Sequence, residues 1–213
     1  MRKIIKQSEP ISLAEHRSKT YADYDNYPEK DKLRESLLEE QGYICCYCMS
    51  RITMGKMKIE HLKPQSKYKC LQLDYKNLLG SCKGNEGARP QRQHCDTKKG
   101  QTEITINPTE ENQNCEKLII YSSTGEIYSP TESINHDLDK TLNLNLDSLI
   151  TKRKNELDLI TEHLKKKFPD RIWDQTYLQE LINQLSAKNE YGFYSEYFQV
   201  AISYLQSQAP IQI

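Results

Sequence analysis

The residues of this chain with chemistry to offer crowd into positions 43–100, which hold six of its seven cysteines and two of its five histidines. Cys45 and Cys48 form a Cys-x-x-Cys pair. Two thiolates at that spacing reach one tetrahedral ion across a tight turn. A half-site needs a second half, from Cys70, Cys82, Cys95 or Cys115. Cys82 and Cys95 suit best, because they flank the turn-rich stretch "SCKGNEGARPQ" and its continuation. Four thiolates close a coordination sphere, so zinc on Cys45, Cys48, Cys82 and Cys95 is expected to be structural. Such a clamp contributes folding energy on the order of ~10 kcal/mol. Cys46, Cys70 and Cys115 are expected as buried free thiols.

A second kind of chemistry is suggested by "KIEHLKP", residues 58–64. His61 titrates near neutral pH and suits a general base. Glu60 is an oxygen ligand for a hard cation such as Mg²⁺ or Mn²⁺. Neighbouring strand residues point to opposite faces. Glu60 and His61 therefore serve one site only if the strand ends there, as Pro64 suggests. Alone, a Glu-His pair mostly means surface charge.

Charge and composition narrow the classes. The chain is neutral overall, yet residues 51–100 hold twelve Lys or Arg against four Asp or Glu. A local basic surplus fits a polyanion partner as well as a solvated lysine-rich loop. No apolar run approaches the roughly 18 to 20 residues of a membrane helix, and the basic start lacks an apolar signal core. A cytoplasmic protein without a membrane partner is expected, and there spaced cysteines are more often metal ligands than disulfides.

The elements that must position these residues follow from periodicity and punctuation. Residues 1–27 look irregular, an arm that needs a surface to lie on. "EKDKLRESLLEEQG" spaces Leu33, Leu37 and Leu38 on one helical face, with Gly42 as its stop. "EKLIIYSSTGEIYSP" reads as a hairpin turning at Gly125. From about Thr131 three amphipathic helices are expected, over residues 146–164, 173–185 and 194–205, able to close a small bundle. The domains expected are 1–42, an arm and helix for partner docking; 43–130, the metal-bearing core with its hairpin; and 131–213, a helical domain.

In order, the motifs are Cys-x-x-Cys, Glu-His with Pro64 three residues on, "DYKNLL", Cys82, then Cys95-Asp96-x-x-Lys99-Gly. That series resembles the HNH endonucleases, the ββα-metal nucleases, in their zinc-stapled form. Within them it is most similar to the PtuB-like subunits of Septu-type anti-phage defence, some of them retron-associated; "KTLNLNLDSLITKRKNEL" extends the likeness beyond the core. The resemblance implies an α+β fold, a zinc-stapled ββα-metal core flanked by the arm and the helical bundle. It implies roles for five residues. His61 is the general base, Glu60 and Asp96 the ligands of a catalytic Mg²⁺ or Mn²⁺, Asn77 the brace of the loop carrying the base, and Lys99 a group facing phosphate. Family members usually have His or Asn where Asp96 stands, which leaves metal preference open, and Asp96 could equally cap a helix. The long Cys82–Cys95 gap carries Arg89, Arg92 and His94, a candidate substrate-gripping insertion.

The function so implied is hydrolysis of phosphodiester bonds, DNA favoured and tRNA or other RNA open, leaving 5′-phosphate and 3′-hydroxyl ends. Lys63, Arg89, Arg92, His94 and Lys98 are the candidate contacts to the nucleic acid backbone, with steep salt dependence. His94 could instead fill space beside the zinc, and Tyr43 and Tyr47 could stack bases or pack the knuckle. The implied partners are a PtuA-like ATPase and, in some systems, a retron reverse transcriptase with its msDNA. The competing reading is a non-catalytic zinc-stapled nucleic-acid-binding or adaptor subunit.

Overall fold

The structure, a computed structural model, describes residues 1–110, 112–170 and 172–208. The expected last domain, 131–213, therefore has Arg171 and its final five residues outside the described ones.

A short helix α1 (Ile11–Arg17) precedes α2 (Lys30–Gln41). Leu33, Leu37 and Leu38 of α2 are all but fully buried, each stabilising the fold by about 1.5–3 kcal/mol. The helix ends at Gly42, whose left-handed φ of 61° closes the last turn. A Cβ there would lie 2.3 Å from the Tyr194 ring, so the stop also needs a bare backbone. Gln41, the last residue of α2, locks onto the sheet through its side chain. Its Nε2 donates to Gly80 O (2.8 Å) and Ile44 O (2.9 Å), and Gly80 N–H donates to its Oε1 (2.6 Å).

Strands β1 (Met57–His61) and β2 (Leu78–Cys82) pair antiparallel, with Glu60 opposite Leu79 and His61 opposite Leu78. β2 is buried along its whole length, and the short helix α3 (Cys95–Lys99) packs against it. The chain order β1, β2, α3 is thus a ββα unit. A single turn α4 (Cys115–Leu118) leads into the hairpin β3 (Ile120–Tyr121) and β4 (Ile127–Tyr128), which turns at Gly125 as expected. Helix α5 (Glu132–His136) widens into a π turn over Asp137–Thr141. There the buried Asp137 carboxylate accepts the Thr105 and Ile106 N–H groups. Then come α6 (Asp147–Lys167), α7 (Gln175–Ser186), capped by Asp174, and α8 (Phe198–Ser207), which packs against both. The chain is α+β, and no helix among the described residues is long and apolar enough to cross a membrane.

The core crosses both expected boundaries. One apolar cluster runs from Met1 and Ile4 through α2 and the cysteines to Ile134 and Leu149. A second joins α6, α7 and α8, and a third sets Phe198 and Ile202 of α8 against Ile44 and Met49 of the cysteine knuckle. The first 27 residues are irregular apart from α1, and they find their surface in this chain. Ile4 N–H donates to Pro108 O (2.7 Å), and Lys6 pairs with Glu40 (2.7 Å) and donates to Leu78 O (2.9 Å).

Candidate metal centre and its carboxylate neighbour

The chain bends sharply at Tyr43 and Met49, both left-handed (φ 60° and 67°), which folds residues 44–51 into a knuckle. Cys45 N–H donates to Ser50 O (2.9 Å) and Met49 N–H to Cys45 O (3.1 Å). Cys82 ends β2 and Cys95 begins α3, so secondary structure aims the second pair of thiols at the first. Cys95 has φ 53°, costly for a residue with a side chain, and its N–H is fixed by Leu142 O (2.9 Å).

The four sulfurs of Cys45, Cys48, Cys82 and Cys95 lie within 4.8 Å of one another, all buried. The Cys48–Cys82 and Cys45–Cys95 separations are 3.8 and 3.9 Å. A tetrahedral ion with bonds of about 2.3 Å to sulfur puts its ligands about 3.8 Å apart. The set could hold a metal ion such as zinc. Cys82 N–H also points at Cys45 Sγ (3.3 Å). Burial pushes the Cys45 thiol up, but hydrogen bonds from Cys46, Cys48, Cys82 and Cys95 outweigh it and carry its pKa well below the usual value. Cys46 is buried and pushed up, and Cys115 is buried as expected. Cys70 departs from expectation: it is exposed, because it sits in a 3₁₀ turn (Lys69–Leu71) on the outer side of the β1–β2 connection.

Alternation along β1 turns Lys58 and Glu60 toward α3. Glu60 is 1% exposed. Its Oε1 accepts Tyr47 O–H at 2.7 Å and meets Lys99 Nζ at 2.8 Å. Asp96, at the start of α3, pairs through Oδ2 with Lys58 Nζ at 3.0 Å. Each carboxyl acts on the other's titration, in opposite directions. Burial pushes the Glu60 pKa well up, and Asp96 pushes it further. Burial also pushes Asp96 up, but hydrogen bonds from Glu60 and Lys58 outweigh that and hold it low. Lys99, expected to face phosphate, does not. Its side chain is fully buried, and Nζ also donates to His61 O (3.0 Å), because α3 packs on the sheet with Lys99 turned toward β1.

His61 takes the other face. Its Nε2 lies 3.0 Å from Gln72 O. A carbonyl only accepts, so Nε2 carries the hydrogen and Nδ1 keeps the lone pair. The Tyr24 ring stands edge-on to the imidazole at 4.5 Å. Burial draws the His61 pKa below its usual value, against the Gln72 contact, which pushes up. Asn77 braces the connection between the strands. Its Oδ1 accepts Lys63 N–H (2.7 Å), and its Nδ2 donates to Lys63 O (3.0 Å) and Leu71 O (3.2 Å).

The candidate backbone contacts divide. Arg89 and Arg92 are exposed on the loop between Cys82 and Cys95, without a side-chain hydrogen bond or ion pair to a described residue. That loop is held by Asn143, whose Nδ2 donates to Gln91 O (3.1 Å) and Gln93 O (2.7 Å). Lys98 is half-buried, with Nζ on Pro90 O (3.3 Å), and Lys63 pairs with Glu103 (3.6 Å). His94 is not a surface group. It is buried, with Nδ1 3.1 Å from Cys95 Sγ, because residue 94 directly precedes a metal-site cysteine. Tyr47 and Lys58, which complete the carboxylate cluster, were not singled out as ligands' neighbours. Lys58 could have been, since it stands two residues from Glu60 on one strand face. Tyr24 and Gln72 carry no local signal. Scans against family models and curated proteins return no match.

Proposed function

We propose that the chain is a metal-dependent HNH-type endonuclease whose ββα unit is stapled by zinc on Cys45, Cys48, Cys82 and Cys95. The observation that carries this reading is the Glu60–Asp96 pair. Residues 36 apart, one on β1 and one opening α3, meet beside a histidine whose tautomer is set. The two carboxyls offer oxygen donors to a hard cation that keeps most of its own water. When bound, that cation supplies positive charge to the phosphate oxygens.

The chain's own residues account for the rest. Nδ1 of His61 takes the proton of the attacking water, and Gln72 O holds the ring while it does so. Asn77 keeps residues 63–71 in place under the substrate. Arg89 and Arg92 grip the phosphate backbone from the rim. Lys99 stays inside and neutralises Glu60. The further reading, an effector subunit beside a PtuA-like ATPase in anti-phage defence, with or without a retron, rests on the sequence resemblance. The packed residues 1–27 make the exposed faces of α6–α8 the better candidate for its docking surface.

The test is a nuclease assay on plasmid DNA and total tRNA, with Mg²⁺, Mn²⁺ or chelator, with and without the co-expressed ATPase, beside His61→Ala. Metal-dependent cutting lost in His61→Ala supports the reading, and the substrate cut decides DNA against RNA. One observation favours the second reading, a non-catalytic zinc-stapled binding module: Glu60 and Lys99 are buried and satisfy each other, as a structural ion pair would. Nucleic-acid binding with no cutting in any arm would select it.

A further inference from the structure

Arg153 lies in the first half of α6 and is 2% exposed. Its Nε donates to Gly125 O (2.6 Å), and one terminal nitrogen donates to Leu144 O (2.8 Å) and Asn145 Oδ1 (3.4 Å). Every one of these partners is neutral, and no carboxylate pairs with it among the described residues. The other buried side-chain cations differ: Lys6 has Glu40 and Lys99 has Glu60, while the Met1 ammonium, which lines the same cavity, donates to the Tyr121 hydroxyl (2.6 Å). Guanidinium does not shed its proton in a protein, and a buried charge needs a counter-charge.

A cluster that becomes anionic with metal bound shares a cavity with the guanidinium: the four cysteines. A divalent ion among four thiolates leaves a net charge of about −2 on the site. A cavity of about 10 Å³ separates the two, lined by Arg153, Leu144, Tyr47, Cys48 and Tyr197, room for about one water. The buried Tyr197 hydroxyl faces this region near Ser50 without a well-formed hydrogen bond, and Ser50 Oγ lies 3.0 Å from Cys48 Sγ. Burial pulls the Arg153 pKa down, while Tyr121, Cys48, Tyr197 and Cys95 push it back. Cys48 and Arg153 thus line one cavity, which puts an edge of the cluster beside the guanidinium.

We propose that Arg153 is the counter-cation of the four-cysteine metal site, acting across this cavity, so that metal loading and the seating of α6 on the core are coupled. This rests on the metal reading of the cysteine cluster. Arg153 is a positioning residue: it touches neither metal nor substrate. Its charge makes a doubly negative cluster tolerable in a buried place, and α6 carries it there.

The test is zinc affinity by chelator competition on the full chain, for the wild type, Arg153→Lys and Arg153→Met, with thermal midpoints of loaded and stripped forms. Arg153→Met is expected to bind zinc about 10–100-fold more weakly, the usual cost of removing an outer-shell partner. Its loaded-minus-stripped gap in midpoint should shrink. Arg153→Lys keeps the charge while losing the forked carbonyl contacts, and should hold zinc within about threefold of the wild type. If Arg153 only ties down carbonyls, Arg153→Met lowers both midpoints equally at unchanged affinity, which overturns the proposal. Should Arg153→Met fail to fold, the lysine variant decides, and a tenfold or larger loss there counts against a charge role. Wild-type protein that takes up no zinc would remove the metal reading and Arg153's role together, whereas normal uptake with indifferent variants removes only the latter.

Discussion

Asn77 gives the sharpest test of how the loop beside His61 is held. Its amide makes three hydrogen bonds, one accepted and two donated, to Lys63 N, Lys63 O and Leu71 O, and it is 5% exposed. At about 1 kcal/mol net per bond, Asn77→Ala should lose about 3 kcal/mol, more than a hundredfold in the folding equilibrium. Asn77→Asp separates this network from simple burial. The carboxylate still accepts Lys63 N–H, but its second oxygen faces two carbonyls that Nδ2 formerly satisfied. It should cost at least as much as the alanine. Urea unfolding of the two variants, fitted with a common slope, reads both numbers. An aspartate variant clearly milder than the alanine would refute the donor assignment, and losses under about 1 kcal/mol in both would refute the brace itself.

Three other outcomes are expected. Wild-type protein should carry one metal ion per chain by elemental analysis, and Cys82→Ser should lose it along with most of its thermal stability, since structural zinc is coupled to folding. Glu60→Gln should leave stability nearly unchanged, because burial pushes Glu60 toward its neutral form, and the amide oxygen still accepts from Tyr47 and Lys99. The same variant should abolish the Mn²⁺-dependent shift in melting temperature, and a stability loss of several kcal/mol would show that Glu60 is ionised in the folded chain. Glu156 is pushed up by burial and by nearby Glu196. The folded state then binds more protons than the unfolded one above about pH 4.5, and stability falls as pH rises toward the folded pKa. Glu156→Gln should therefore raise the unfolding midpoint at pH 7 and change nothing at pH 4; a pH-independent difference would contradict the sign.

Local pattern was enough for α2, the hairpin and the last three helices, though not for α1. Leu33, Leu37, Leu38 and Gly42 announced α2 and its stop, Gly125 its hairpin, and the apolar periods the three last helices, because each depends on residues a few positions apart. The four metal-site cysteines were legible for a similar reason: thiols are few and turn chemistry surrounds them. Residue chemistry picked out Glu60, and the family resemblance set Asp96 beside it on one ion, but neither pointed to Tyr47, Lys58 and Lys99 around them. What the tertiary structure alone decided was which way each charge faces. Packing α3 against the sheet put Lys99 inside against Glu60 and left Arg89 and Arg92 exposed on the loop. Closure of the cysteine knuckle took His94 and Tyr47 into the interior. The first 27 residues are polar and aperiodic, so nothing local said that Met1 and Ile4 join the main core. Arg153 looked like one more cation on a charged helix. Its burial depends on Gly125 and Leu144, which reach it only when the β3–β4 hairpin and α6 fold against the metal site. Residue type and spacing thus determine what chemistry is on offer, while burial and the direction of charge depend on contacts between distant segments, which no local pattern encodes.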